Sequence, residues 1–224
     1  MHRLTPAWFL IWLIILCGAP LPALAHVVEE SASQHQQWWL WTFEPWVVLC
    51  LGLSLGLYAI GALPLGNRSH NRRAIIRQAF YFMLGWLVLV IALVSPLDVL
   101  GGALFSAHMV QHELLMIVAA PLLVLSRPLV VWLWALPLHW RSAIAGAVRH
   151  PLVRAPWRLL SLPLAAWLIH ALALWLWHVP AFFDAALANN AIHSLQHLSF
   201  LITALFFWWA VLDEQASAAG SGAA

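Results

Sequence analysis

The sequence contains no lysine. All ten of its basic residues are arginine, and only 8% of its 224 residues are charged, against roughly 25% in an ordinary soluble domain. A soluble chain so poor in charge could not cover its own surface, which excludes that class. The formal net charge of +2 excludes charge-driven disorder and a nucleic-acid binder with a basic face. Two cysteines, Cys17 and Cys50, are too few for a disulfide framework. What is abundant is apolar surface: 64% of residues are hydrophobic and the mean hydropathy is +0.87. There are also 16 Trp and 12 His. Trp suits membrane interfaces, and His in lipid is costly unless it has a partner or a task. The fold class that follows is all-α, a polytopic bundle of transmembrane helices.

Arg3 precedes an apolar run, Trp8 to Cys17, and then Pro20, Pro22 and Ala23-Leu24-Ala25. A charged start, an apolar stretch and an A-x-A site read as a secretory signal. The alternative is an uncleaved anchor, so residues 1–25 are a leader of one kind or the other, residues 26–212 the transmembrane domain, and 213–224 a disordered Ala/Ser/Gly tail. About 20 apolar residues span a bilayer. Five stretches qualify: Pro45–Leu65, Gln78–Ser95, Ser106–Ser126, Leu159–Val179 and Ile192–Leu212. The run Leu129–Leu138 is short and reads as an interfacial or re-entrant piece.

Arginine placement sets orientation. Arg68, Arg72, Arg73 and Arg77 lie between the first and second spans, and Arg127, Arg141, Arg149, Arg154 and Arg158 between the third and fourth. Both connections are expected to be cytoplasmic. The remaining connections hold Glu29, Glu30, Glu44, Asp98 and Asp184 without arginine, and are expected outside. Trp38, Trp39, Trp41, Trp46, Trp175 and Trp177 then fall at outer ends, and Trp132, Trp134, Trp140, Trp208 and Trp209 at inner ends, as an aromatic belt.

The third span opens with His108-Met109-Val110-Gln111-His112 and the fifth with His193-Ser194-Leu195-Gln196-His197. Both read H-x-x-Q-H. Residues four apart share a helix face, so each pair can grip one ion or face one planar cofactor. Chance supplies roughly 0.6 His pairs at that spacing in a chain of this composition, so one pair means little, but two with Gln at the same place are hard to obtain by accident. The flanks repeat as well. Ser95-Pro96-Leu97-Asp98 precedes the first unit and Pro180-Ala181-Phe182-Phe183-Asp184 the second. All four His are expected roughly 0–10 Å from the outer surface, at 1.5 Å per helical residue. His178, closing the fourth span, lies at the same level.

Neutral imidazole binds copper, iron and zinc. Met109 and Met116 lie within a turn of His112, and a soft thioether beside imidazole favours Cu(I) over zinc. The candidate ligands are therefore His108, Met109, His112, His178, His193 and His197. Metal-bound His donates its other N–H to a carboxylate or carbonyl, a part that Asp98, Gln111, Asp184 and Gln196 could take. Glu113 points about 100° away from His112. A blander reading competes: interfacial His can simply hydrogen-bond across helices, and His178 fits it as well as ligation. His170 reads as a packed polar contact, Met83 and Met116 as core, and His70, His139 and His150 as solvated or headgroup-facing. Cys50 lies within reach of the site. Cleavage after Ala25 would leave His26 as a free N-terminal chelator, with His35 as a second donor.

Ser95-Pro96-Leu97-Asp98, Phe105-Ser106-Ala107-His108-Met109-Val110-Gln111-His112 and Ala120-Pro121-Leu122-Leu123 resemble the cytochrome c oxidase assembly factors of the CtaG family. Trp177-His178-Val179-Pro180, Phe183-Asp184-Ala185-Ala186-Leu187 and His193-Ser194-Leu195-Gln196-His197-Leu198-Ser199-Phe200 continue the resemblance, which covers Gly52 to Trp209 in layout. It implies a bacterial inner-membrane protein that helps build the haem–copper oxidase, with oxidase subunits as partners and copper, as Cu(I), as the metal at a periplasmic site. The family's histidines would map onto His108, His112, His178, His193 and His197. Members typically continue past the position of Trp209 with further helices, where this chain carries its low-complexity tail. Two other readings stay open: a bis-His haem protein and a membrane metalloenzyme. Desaturase-type boxes need paired His-His, which is absent, and metalloprotease motifs need Glu where Gln111 and Gln196 stand, so no enzymatic activity is expected. Whether the chain pairs with a second copy is open.

Overall fold

The computed structural model describes residues 41–68 and 71–221, and among them the regular structure is all helical. Helix α1 is Pro45–Arg68 and α2 is Arg72–Leu93. Asn71 caps α2, its Oδ1 accepting the Ala74 N–H at 3.1 Å, which starts the second span earlier than Gln78. A short helix α3, Pro96–Ala103, leads into α4, Phe105–Glu113, which continues through a π-helical turn, Leu114–Ala119, into α5, Ala120–Ser126. Then come α6 (Pro128–Ala135), α7 (Leu138–Arg149), α8 (Pro151–Leu160), α9 (Pro163–Trp177), α10 (Pro180–Ala188) and α11 (Asn190–Ser221).

Four helical stretches are long and apolar enough to cross a membrane: Pro45–Gly66, Arg72–Leu93, Phe105–Ser126 and Asn190–Asp213. They correspond to the first, second, third and fifth expected spans. The fourth, Leu159–Val179, is not one straight helix. α8 and α9 meet at a 75° bend. The cause is Pro163, which pushes Leu162 out of the helical region to φ −67°, ψ 132°. α9 alone, with 15 residues, rises only about 22 Å, so a fifth crossing requires the bent pair to act as one span. The short run at Leu129–Leu138 forms α6, of 8 residues, too short to cross. Arg127, in the left-handed region at φ 49°, and Pro128 break the chain between α5 and α6. α6 packs along α1, where Gly61 lies against the Val131 carbonyl. The irregular tail expected after Leu212 is helix as far as Ser221; this stretch contains no Pro and is rich in Ala, the strongest helix former. The leader and His26, His35, Trp38, Trp39 and His70 lie outside the described residues.

The π turn has a sequence cause. The Ala120 N–H bonds to Leu115 O, not to Met116 O. Pro121 has no N–H to offer in its place. The Met116 carbonyl is instead satisfied by Trp208 Nε1–H from α11 at 2.8 Å, which pins α11 to the third span.

The core is made by Phe82, Leu115, Leu123, Phe200 and Leu205, with Tyr58 stacked on Phe82 at 3.8 Å. The perimeter is apolar as well: Ile60, Leu63, Phe80, Leu164 and Leu172 are each at least 60% exposed, as a lipid-solvated surface requires. Met83 belongs to this perimeter, not to the core as expected. Trp41, Trp46, Trp140 and Trp175 are exposed, in keeping with a belt, but Trp132 and Trp177 are buried. Trp177 donates to Ser199 Oγ at 2.7 Å.

The two ends of the bundle differ chemically. Thr42 donates through its backbone N–H to Val94 O and through Oγ1 to Asp98, each at 2.9 Å. Ser194 Oγ donates to Glu44 at 3.0 Å. The start of α1, the end of α2, α3 and the start of α11 therefore meet at one end. Helix length places the α1–α2 turn, with Arg72, Arg73 and Arg77, at the other.

A cluster of imidazoles at the acidic end

The repeat seen in the sequence is a repeat in space. Each unit is a short helix opened by Pro at its first turn, α3 or α10, then one extended residue, Leu104 (φ −126°, ψ 118°) or Asn189 (φ −144°, ψ 116°), then a helix carrying H-x-x-Q-H. The two units bring their histidines together. Ring centroids are 4.3 Å apart for His108 and His112 and 4.2 Å for His193 and His197. Between units they are 5.3 Å for His108–His193, 5.2 Å for His112–His197 and 6.1 Å for His108–His197. His108, His112 and His197 are buried, and one nitrogen from each falls within 4.8 Å of the others. An ion with metal–nitrogen bonds near 2.0 Å requires shifts of about 1 Å from that arrangement.

Both nitrogens of His108 and of His112, and Nε2 of His193 and His197, are buried without a hydrogen-bond partner. A buried polar atom left unpaired costs about 1–3 kcal/mol. Six such nitrogens on four touching rings are a poor design for a packed core and a good one for a cation that takes imidazole lone pairs. These six nitrogens make none of the interhelical hydrogen bonds offered as the blander explanation.

Asp98 takes a larger part than the sequence suggested. Its carboxylate lies within 4.8 Å of nitrogens of His193 and His197, accepts from Gln111 Nε2 at 2.8 Å, and accepts from Thr42. Gln111 also donates to Ala92 O at 2.7 Å. It fits only because Gly101 has no side chain: a methyl there would overlap Gln111 Oε1. The second unit does not mirror this. Asp184 is exposed and Gln196, fully buried, makes no side-chain hydrogen bond. Counted back from the extended residue, Phe183 stands where Asp98 does and Asp184 one residue later. One residue turns a helix by about 100°, which carries Asp184 to the outside. Phe183 comes inward in its place, edge-on to His108 at 5.8 Å.

His178 and Met109 are not drawn into this group. His178 is exposed, Nδ1 against Leu174 O at 2.7 Å. Both line a cavity of about 370 Å³ beside the cluster, together with Glu113 and Met116. On the other side a cavity of about 80 Å³ touches Glu44, Cys50, Asp98, His193 and His197. His170 makes the packed contact expected of it, Nδ1 to Thr203 Oγ1 at 2.9 Å, while His139 and His150 are exposed. Reading the sequence missed Thr42, Glu44, Gly101, Phe183 and Phe200. Phe200 lies edge-on to His112 at 4.6 Å.

A family model described as cytochrome c oxidase caa3 assembly factor matches residues 56–222. The match includes both H-x-x-Q-H units and every helix from α2 to α11. No curated protein and no solved structure matches the chain.

Proposed function

The chain belongs to the cytochrome c oxidase caa3 assembly factors, and from that premise we propose that it assists oxidase assembly by holding copper on His108, His112, His193 and His197 and releasing it to the oxidase. The observation that carries this reading is the convergence of four imidazoles with their buried nitrogens unpartnered. Asp98, held by Gln111 and Thr42, serves either as a further ligand or as the acceptor of an imidazole N–H. The haem alternative draws less support, since rings packed against one another and against Phe183 and Phe200 suit an ion better than a macrocycle. Binding and transfer of an ion need no catalytic group.

The protein is a multi-pass membrane protein, and in this reading it sits in the bacterial inner membrane with the arginine-rich end inside and the histidine cluster facing the periplasm. A reporter fused at Trp157 should then be cytoplasmic and one at Asn189 periplasmic; both on one side would refute the orientation. The function is tested in cells lacking the protein. Oxidase activity should fall when copper is scarce and recover partly with excess copper. Unchanged activity at limiting copper would contradict copper delivery, and a loss of haem from the oxidase that copper cannot repair would point to haem.

Gly101→Ala probes the support of the cluster. The new methyl displaces the Gln111 amide from Asp98. Copper affinity of the purified protein should fall about 10–100-fold, as when an outer partner of a metal ligand is lost. Gly102→Ala, whose methyl meets open space, should leave affinity unchanged. Equal affinities in the two variants would refute the role given to Gln111.

A further inference from the structure

The cavity of about 370 Å³ brings together donors that the four-imidazole cluster does not use: Met109, Met116, His170 and His178. Of its two imidazoles, His170 is already engaged with Thr203 Oγ1 at 2.9 Å and stands eight residues, about 12 Å, before His178 on the same helix, too far to share an ion with it. His178 Nδ1 lies 2.7 Å from Leu174 O, a group that can only accept. The His178 ring is therefore left with its lone pair on Nε2. A histidine ready to bind a metal has this arrangement, one nitrogen donating to a fixed acceptor and the other free to ligate. The two remaining donors are thioethers, which select soft monovalent copper over harder divalent ions. His112 lines the same cavity while its ring also touches His108 and His197.

We infer that this cavity is a second Cu(I) site, built on Met109, Met116 and His178, from which the ion passes to the four-imidazole cluster through His112. The inference rests on the reading that the cluster holds copper. Transfer is ligand exchange: a copper–thioether bond breaks as a copper–imidazole bond forms. Copper stays Cu(I), and no electron or proton is exchanged.

The test uses the full chain, purified in lipid discs and loaded anaerobically with Cu(I) alone. Copper per chain and the X-ray absorption of the bound copper are measured for three proteins: wild type, Met109→Leu with Met116→Leu, and His108→Ala with His197→Ala. Leu for Met conserves volume and is among the best tolerated core changes. Wild type should bind two coppers with sulfur in the averaged ligand shell. The Met variant should keep one, bound by nitrogen only, and the His variant should keep one that retains sulfur. Two coppers in the Met variant, or no sulfur scattering in wild type, would overturn the cavity site and leave the cluster reading standing. A His variant that keeps the nitrogen-only copper would overturn the cluster reading instead. No bound copper in wild type would overturn both.

Discussion

Replacing His108 or His197 by Ala should leave the protein at normal abundance in the membrane and yet, at limiting copper, lower oxidase activity to that of cells lacking the protein. The helices are held by packing between faces that include Phe82, Leu115, Phe200 and Leu205, so removing one imidazole does not unfold them. It also removes buried nitrogens that have no partner, which by itself relieves a cost of about 1–3 kcal/mol each. Truncating a packed ring also opens a cavity, which opposes that gain, so stability should change little while function is lost, which an ordinary core residue would not do. Losing a ligand should weaken copper binding by more than the 10–100-fold typical of an outer partner. Asp98→Asn should fall between wild type and His197→Ala. Because both variants retain three imidazoles, excess copper should restore part of the activity. Full activity of both His variants at limiting copper would contradict the role of the cluster, and loss of the protein from the membrane would show the rings to be structural.

Gly61→Ala should produce the largest loss of stability among Gly→Ala substitutions in these helices. α6 lies so close to α1 that a methyl on Gly61 would overlap the carbonyl of Val131 and come within 3.1 Å of the Ala135 backbone nitrogen. Backbone cannot swing aside as a side chain does, so the two helices must part. Overpacking of this kind costs about 1–3 kcal/mol, and close approach at a small residue is a main source of helix association in membranes. Gly52→Ala and Gly56→Ala lie on the same helix with no neighbour within 4 Å. These should be neutral or slightly stabilising, because Ala favours helix over Gly by roughly 0.5–1 kcal/mol. Thermal denaturation of the three variants in detergent checks this. Gly61→Ala should melt several degrees lower, at roughly 2–4 °C per kcal/mol. Equal melting of all three would show that α1 and α6 are not in such contact.

Much of the cluster is legible in the sequence because it rests on periodicity. Spacing of four puts His108 with His112 and His193 with His197 on single faces, and the alternation of arginine with acidic connections puts both pairs at one end. Four of the spans are legible for the same reason. What escapes is decided by single residues or by contacts between distant ones. The apolar run at Leu159–Val179 contains Pro163, whose effect on Leu162 outweighs hydropathy. A shift of one residue, counted back from the extended residues Leu104 and Asn189, separates the fates of Asp98 and Asp184, and it shows only once the ends of the short helices are known. Other partners cannot be read from spacing at all. Ser194 bonds Glu44 across 150 positions and Trp208 bonds Met116 across 92; only the packed bundle brings them together. Gly61 and Gly101 look like any glycine in an apolar helix until a neighbouring backbone or side chain is found where their side chains would be.

The most direct measurement is anomalous diffraction at the copper edge from crystals of the copper-loaded protein. A peak within bonding distance of nitrogens of His108, His112 and His197, absent below the edge, is the result expected of a copper-holding assembly factor. Copper-loaded crystals with no peak among these rings, or with copper bound only at surface histidines such as His139 and His150, would contradict it.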